Sequence, residues 1–122
     1  MRNSDKAKPR FPRRKENGVL FFGLALVAIF WFAAWTHFGV FGEHAFFPLW
    51  LGYIFTVDGL VARRTGSSLL LRAPRDFISL FFLSAPIWWV FEGLNNFVLN
   101  WHYIVPADYS VAQIIVESTI CF

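Results

Sequence analysis

Long apolar segments separated by short polar stretches dominate the pattern of this chain. Residues 18–37 contain no Asp, Glu, Lys or Arg, and two further apolar segments cover residues 46–62 and 77–99. A helix that crosses the hydrocarbon core of a bilayer needs roughly 20 predominantly apolar residues. The pattern therefore predicts an all-α, polytopic transmembrane protein with three complete spans, joined by loops at residues 38–45 and 63–76.

A further apolar segment covers residues 109–122 and is shorter than a complete span. A segment of 14 residues, at a rise of about 1.5 Å per residue, is too short to cross a hydrocarbon core of about 30 Å. We therefore expect a partial fourth helix, and with it a chain that is a fragment of a longer protein. A re-entrant or interfacial helix at this place is the alternative.

The basic residues fall into two patches, and these patches set the predicted orientation. Seven of the eleven Lys and Arg residues precede residue 17, and the other four lie between residues 63 and 75. Basic residues beside apolar segments favour the cytoplasmic side of a membrane. We therefore expect a basic cytoplasmic arm over residues 1–17, a transmembrane domain over residues 18–122 and a cytoplasmic loop over residues 63–76.

The same charge distribution indicates the partners. Basic segments next to a membrane attract anionic lipid headgroups, so we expect the arm and the loop to contact them. Neither patch belongs to a soluble fold of its own, which argues against nucleic-acid binding. The expected location is multi-pass in a bacterial inner membrane or plasma membrane, with a homo-oligomer or hetero-oligomer as a possible assembly.

The composition supports a membrane class and excludes several others. Hydrophobic residues make up 57% of the chain and charged residues 16%, whereas soluble domains have about 45–50% and about 25%. A soluble enzyme, a disordered tail and, with one Cys, a disulfide scaffold are therefore excluded. No glycine-rich phosphate loop or paired-cysteine motif occurs, so no cofactor is predicted. Glu43, His44, His102 and Tyr103 lie in loops without the close spacing of metal ligands, and no metal site is predicted.

A stripe of polar residues lies within the third predicted span. Its members share one helix face because they are spaced i, i+3, i+4 and i+8, with a tryptophan one turn before them: Trp88, Glu92, Asn95, Asn96 and Asn100. Ionisable groups inside a membrane are rare and mark candidate functional sites. This face predicts either a hydrogen-bonded cluster between helices or a binding site for a ligand.

Glu117 in the last segment is the second acidic candidate. Two antiparallel helices joined by a short loop would place Glu92 and Glu117 at similar depth in the bilayer. Two carboxyl groups close together in a low-dielectric site would share a proton. The pair therefore offers an acid and a base for chemistry on an isoprenoid or another lipid, with Asn95 and Asn96 orienting them.

Asp58, in the second predicted span, precedes Arg63 and Arg64 by little more than one helical turn. One interpretation is a structural ion pair near the headgroups. The other is a binding site in which Arg63 or Arg64 anchors a lipid headgroup.

Three hypotheses for function remain. The leading one is a small integral membrane protein that packs or binds a lipid-like ligand through polar faces in the outer half of the bilayer. The alternatives are an intramembrane enzyme that acts on a lipid with Glu92 and Glu117, and a transporter or channel subunit whose polar stripe lines a conduction path. Aromatic residues such as Trp50, Tyr53 and Phe55 indicate either a slot for a lipid chain or side chains that simply face lipid.

Overall fold

The computed structural model describes residues 13–104 and 108–121, with side chains from residue 17 onward. Every regular element in these ranges is an α-helix, which confirms the predicted all-α class. The chain forms two compact units, Met1–Pro74 and Arg75–Phe122. The helices are, in chain order, α1 (Arg13–Trp35), α2 (Gly39–Glu43), α3 (Phe46–Thr65), α4 (Leu69–Arg72), α5 (Pro74–Val98) and α6 (Val111–Cys121).

Two of the described helices are long and apolar enough to cross a membrane. They are α1, over Asn17–Trp35, and α5, over Pro74–Val98. Helix α3 has 20 residues but is not one of them, because Asp58 and the two arginines of its last turn reduce its apolar character. Of the three predicted complete spans, two therefore have the length and composition of a membrane helix.

Helices α1 and α3 of the first unit pack side by side along a seam of small residues. Buried small residues recur every seven positions along α3 and its two ends: Ala45, Gly52, Gly59 and Gly66. A repeat of seven residues keeps one side of a helix turned toward its neighbour. Small residues at such an interface let two helix backbones approach closely. The backbones of α1 and α3 therefore lie close together along this seam.

The glycines of this seam leave no room for a side chain. A Cβ atom on Gly59 would lie 2.7 Å from the Cα atom of Leu20, and a Cβ atom on Gly23 would lie 2.5 Å from the backbone nitrogen of Thr56. Real Cβ atoms essentially never show contacts this short. Because residue 20 meets residue 59 and residue 23 meets residue 56, α1 and α3 run antiparallel.

Residues 63–76, which the sequence predicts to form a loop, are partly helical in the structure. Helix α3 continues into this range, and Gly66 ends it with a left-handed φ of 75°. The hydroxyl of Ser68 caps the short helix α4. Pro74 begins α5, because a proline lacks the N–H that would stay unpaired in a first turn and has a φ suited to it. Gly66, Ser68 and Pro74 therefore mark the ends of the helices in this segment.

The ends of the first predicted span also differ from the structure. The predicted basic arm lies outside the described residues up to residue 12. From Arg13 onward the backbone is helical, so α1 begins at residue 13 rather than residue 18. The predicted external loop at residues 38–45 contains α2, a helix of 5 residues.

The second unit consists of α5, α6 and the segment between them. Phe77 and Asn95 are the buried residues of α5, and its remaining residues are exposed or half-buried. Helix α6 covers Val111–Cys121, inside the predicted partial segment. Residues 105–107 and 122 lie outside the described residues. A helix that is apolar all round, as α5 is over most of its length, is typical of a membrane span.

Candidate ligand-binding site

An apolar groove lies on the α1–α3 pair of the first unit. Side chains of both helices line it: Val27, Trp31, Phe46, Leu49, Trp50 and Tyr53. Its volume is about 360 Å³, within the range of about 300–1,000 Å³ that is typical of small-molecule sites. Two indole N–H groups and one phenol hydroxyl are the polar atoms on these six side chains. The groove therefore offers an apolar surface with few polar contacts.

Aromatic contacts hold the α3 side of the groove in place. The rings of Trp50 and Tyr53 lie 5.7 Å apart at an angle of 88°, and the ring of Phe46 lies 6.2 Å from that of Trp50. Edge-to-face pairs contribute about 0.5–1.5 kcal/mol beyond the area they bury. Phe55, the third aromatic residue named from the sequence on this helix, instead contacts Phe22 of α1 at 5.4 Å. Two of the three predicted aromatic residues on α3 therefore line the groove.

Asp58 has a different partner from the predicted arginines. Its side chain is 9% exposed, and its Oδ1 accepts a hydrogen bond of 3.2 Å from the backbone N–H of Leu70 in α4. Within the described residues, neither Arg63 nor Arg64 pairs with it, and both arginines are exposed. Side chains on one helix face are three or four residues apart, whereas these arginines follow Asp58 by five and six positions. The carboxylate therefore ties α4 to α3.

Two buried oxygen atoms in this region have no hydrogen-bond partner among the residues that the structure describes. They are Asp58 Oδ2 and Ser67 Oγ. A buried polar atom without a partner costs about 1–3 kcal/mol. Buried polar atoms without hydrogen-bond partners are expected mainly at functional positions. The α3–α4 connection is therefore a second place, beside the groove, where function is to be sought.

Asn95 of the second unit closes the C-terminal end of α5. Its Oδ1 accepts hydrogen bonds from the backbone N–H groups of Asn100 at 2.9 Å and Trp101 at 3.2 Å, and its Nδ2 donates to the Trp101 carbonyl at 2.8 Å. Leu99 has a φ of 51°, the left-handed conformation in which many helices end. Asn95 therefore fixes the path of the chain as it leaves α5.

Glu92 contacts two aromatic side chains of the segment that Asn95 fixes. Its Oε1 accepts a hydrogen bond of 2.6 Å from the Tyr103 hydroxyl and one of 3.4 Å from the Trp101 indole N–H. Short hydrogen bonds to an ionised carboxylate are among the strong ones in proteins. Glu92 and Asn95 therefore act at the same end of α5, as their spacing predicts, but their partners come from the following segment rather than from another helix.

The contact with Glu92 changes the acidity of Tyr103. Partial burial of the phenol is the largest cause that raises the pKa of Tyr103 above its usual value of 10.0. The hydrogen bond to Glu92 and the negative charge of Glu92 raise it further, while the contact with Trp101 lowers it. The phenol therefore keeps its proton at neutral pH and donates a hydrogen bond to the Glu92 side chain.

A side-chain hydrogen bond joins α6 to α5. The indole N–H of Trp89 donates to Thr119 Oγ1 at 3.1 Å. Glu92 follows Trp89 by three residues and Glu117 precedes Thr119 by two, so each carboxylate lies within one helical turn of this bond. Glu92 and Glu117 therefore both lie near this contact, and their similar depth in a bilayer stays a prediction. Glu117 is half-buried.

The remaining predicted binding residues contribute less to these contacts. Asn96 is exposed, and Asn100 contributes its backbone N–H to the Asn95 side chain. The ring of Trp88 lies 5.8 Å from that of Phe91. In residues 13–104 and 108–121, no three His, Cys, Asp or Glu residues are grouped as a metal site.

The sequence pattern does not predict the contacts made by Leu70, Trp101 and Thr119. Periodicity identifies residues that share a face of one helix, and these three partners come from other segments. One signal for the α5 end was available, because Asn residues grouped at the end of an apolar segment favour a helix terminus. No protein family, curated protein or solved structure matches this chain. The groove, the α3–α4 connection and the Glu92 contacts are therefore the features from which function is inferred.

Proposed function

We propose that this chain is a multi-pass membrane protein that binds a lipid-like ligand, with the hydrocarbon chain of the ligand in the α1–α3 groove. In this proposal residues 18–37, 46–62 and 77–99 are spans, α6 belongs to a partial fourth span, and the N-terminus is cytoplasmic. The observation that carries the proposal is the apolar and aromatic lining of the groove. An acyl or isoprenoid chain fits such a lining, because it buries apolar surface without needing polar partners.

The packing of α3 supports its place as a span. Its 20 residues rise about 30 Å, which matches the thickness of the hydrocarbon core. Asp58, its one acidic residue, is turned away from the surroundings and accepts a hydrogen bond within the first unit. Contact through small residues is how membrane helices associate, since lipid tails are as apolar as leucine and provide no hydrophobic driving force between helices.

The position of the basic residues favours an outer location for the groove. Arg63 and Arg64 lie in the last turn of α3, and arginines are enriched on the cytoplasmic side. The groove residues on α3 lie toward its other end, from Phe46 to Tyr53. Tryptophan and tyrosine are enriched at the membrane interface, where their polar atoms meet headgroups and their rings meet hydrocarbon.

Mass spectrometry of lipids retained through gentle purification tests the proposal. The full chain, extracted together with its surrounding lipid, is expected to retain one lipid or isoprenoid species above its share in the membrane. Trp31→Ala removes one side of the groove and is expected to lower that retention about tenfold, because a buried large apolar side chain contributes about 1.5–3 kcal/mol.

Trp35→Ala is the matched control for this experiment. Trp35 lies one turn after Trp31 on the same helix, is 75% exposed, and does not line the groove. Its replacement is expected to leave lipid retention unchanged. Equal losses in the two variants, or retention of bulk phospholipid alone by the unaltered protein, would contradict binding in the groove.

The Glu92–Tyr103 contact favours a second candidate function. The alternative is an intramembrane enzyme that acts on an isoprenoid or another lipid, with Glu92 and Glu117 as the acid–base pair. The 2.6 Å hydrogen bond from Tyr103 holds Glu92 in one position, and proton transfer requires groups held in place. The Trp89–Thr119 bond supports the inclusion of Glu117, which lies two residues from Thr119.

Glu92→Gln separates the two candidate functions. The substitution preserves the size of the side chain and one acceptor oxygen, but it removes the carboxylate. The enzyme alternative predicts loss of lipid turnover with normal accumulation in the membrane, while lipid retention in the groove stays unchanged. Disappearance of the variant from the membrane would mean that the carboxylate serves folding, and the enzyme alternative would then lose its support.

A further inference from the structure

Hydrogen bonds fix the connection between α3 and α4 in the first unit. The N–H of Gly66 donates to the Ala62 carbonyl at 2.7 Å, which ends α3. Ser68 Oγ accepts from a backbone N–H of α4, and Asp58 Oδ1 accepts from the neighbouring N–H of Leu70. The Asp58 contact joins residues 12 positions apart, so it holds α4 against α3 rather than closing a local turn.

This connection carries exposed positive charge. Arg63 and Arg64 lie in the last turn of α3, Arg72 is the last residue of α4, and all three are exposed. Asp58 is the one acidic residue from position 46 to position 72, and its carboxylate is buried on the Leu70 N–H. Among the described residues, no carboxylate pairs with any of the three arginines. Within residues 17–104 and 108–121, the three guanidinium groups are therefore available to an external anion.

We propose that Arg63, Arg64 and Arg72 bind the phosphate of an anionic lipid headgroup at the α3–α4 connection, and that Asp58 positions Arg72 by holding α4 on α3. A guanidinium presents its donors in a planar fork that matches two phosphate oxygens. Asp58 is a positioning residue, since its carboxylate is buried and contacts the backbone rather than the ligand. The site does not rest on the groove, because the two share no residue.

The residues before Arg72 favour a lipid as the source of the phosphate. Leu69, Leu70 and Leu71 make up the rest of α4 and are half-buried. A short helix that combines partly exposed leucines with a terminal arginine suits the boundary between acyl chains and headgroups. Anionic headgroups are concentrated at the cytoplasmic surface, which is the side to which the positive-inside rule assigns these arginines.

Lipid titration of the full chain in detergent, followed by native mass spectrometry, tests the site. The probes are dioleoyl phosphatidylglycerol and dioleoyl phosphatidylcholine, which have the same chains and differ in headgroup charge. Phosphatidylglycerol is expected to bind more tightly. Arg72→Gln is expected to lower its affinity about tenfold, the loss that corresponds to one charge-assisted hydrogen bond, without changing phosphatidylcholine binding. If only the binding of lipid chains in the α1–α3 groove failed, the affinities for both lipids would instead change equally.

Two further variants distinguish a site from diffuse attraction. Arg72→Lys keeps the charge but loses the planar fork, and an intermediate loss of phosphatidylglycerol affinity is expected. Lys8→Gln removes an equal charge from the basic N-terminal segment and is expected to have little effect. An equal loss in Lys8→Gln and Arg72→Gln, or no loss in Arg72→Gln, would overturn the site.

If Asp58 positions Arg72, Asp58→Ala should weaken phosphatidylglycerol binding. The change in charge alone would instead strengthen that binding. Asp58→Ala removes a negative charge near the arginines, which by itself would tighten anion binding, whereas loss of the Leu70 contact is expected to weaken it severalfold. Asp58→Asn retains an acceptor for Leu70 and is expected to bind at least as tightly as the unaltered protein. Ser67→Ala, in the same connection, leaves the contact intact and is expected to have no effect.

Either of two results would overturn positioning by Asp58: tighter binding in Asp58→Ala, or weaker binding in Asp58→Asn. If Asp58→Ala loses its helical circular dichroism, the Asp58→Asn result decides the matter. Competition with inorganic phosphate tests whether the site binds a lipid headgroup or the free anion. It is expected to displace phosphatidylglycerol only weakly, and displacement at concentrations comparable to that of the lipid would show that the site binds the free anion instead.

Discussion

Gly59 of α3 and Leu20 of α1 meet backbone to backbone, so closely that a Cβ atom on the glycine would lie 2.7 Å from the Leu20 Cα. Gly23 and Gly52 make similar close approaches, with the nearest atom 2.5 Å and 2.9 Å from an added Cβ atom. The groove is built on these two helices, so its shape depends on glycines that do not line it.

Gly59→Ala is expected to destabilise the first unit by about 1–3 kcal/mol, the usual cost of forcing extra volume into a packed interface. Thermal unfolding in detergent measures the change. Gly18→Ala is the control on α1, since a Cβ atom at that position meets nothing within 4 Å. Alanine favours a helix by about 1 kcal/mol over glycine, so Gly18→Ala should be neutral or stabilising. Equal destabilisation in both variants would argue against the seam.

Asn95→Ala is expected to loosen the end of α5. The substitution leaves the N–H groups of Asn100 and Trp101 without their partner, at a cost of about 1–3 kcal/mol. Hydrogen–deuterium exchange should show faster exchange of these two amides. Asn96→Ala is the neighbouring control, because Asn96 is exposed and surface substitutions usually change stability by less than about 0.5 kcal/mol. Unchanged exchange in Asn95→Ala would mean that the amides are held by something else.

The raised pKa of Tyr103 predicts a pH dependence in the alkaline range. The folded state holds the phenol proton more tightly than the unfolded chain does, so the stabilisation is fully present below the unfolded value of 10.0. It is lost as the pH rises from there through the higher folded pKa. Nuclear magnetic resonance of labelled tyrosine measures the titration directly.

Glu92→Gln provides the comparison for the Tyr103 titration. Two of the causes that raise the pKa of Tyr103 come from Glu92, so the pKa is expected to fall toward its usual value in this variant. A Tyr103 titration that does not respond to Glu92→Gln would contradict the hydrogen bond between them.

The helices could be predicted from the sequence because hydrophobic length and helical spacing are local properties. Glu92 and Asn95 are three residues apart, and both act at the same end of α5. Their partners Trp101 and Tyr103 could not be predicted in the same way, because the path of an irregular segment depends on side-chain contacts that have no period. Asn95 determines that path by hydrogen bonds to the backbone of Asn100 and Trp101. Backbone groups are common to nearly all residue types, so the sequence does not identify these partners.

Asp58 and the glycines show two other limits of sequence reasoning. Nearness in the chain favours a pair between Asp58 and Arg63, but a separation of five residues turns them to different sides of the helix, and the carboxylate contacts Leu70 instead. The spacing of seven between Gly52 and Gly59 is visible in the sequence. This spacing matches no established dimer motif, and it does not say which helix packs against the two glycines.

The seven-residue repeat of the seam also limits which insertions and deletions α3 can accept. One residue inserted between Gly52 and Gly59 would rotate everything after it by about 100° about the helix axis, which moves Gly59 out of contact and brings Asp58 into its place against α1. An insertion of seven residues would restore the same face. Single-residue insertions and deletions in α3 should therefore be far more damaging than most substitutions, even though this stretch contains no residue from the Glu92 contacts.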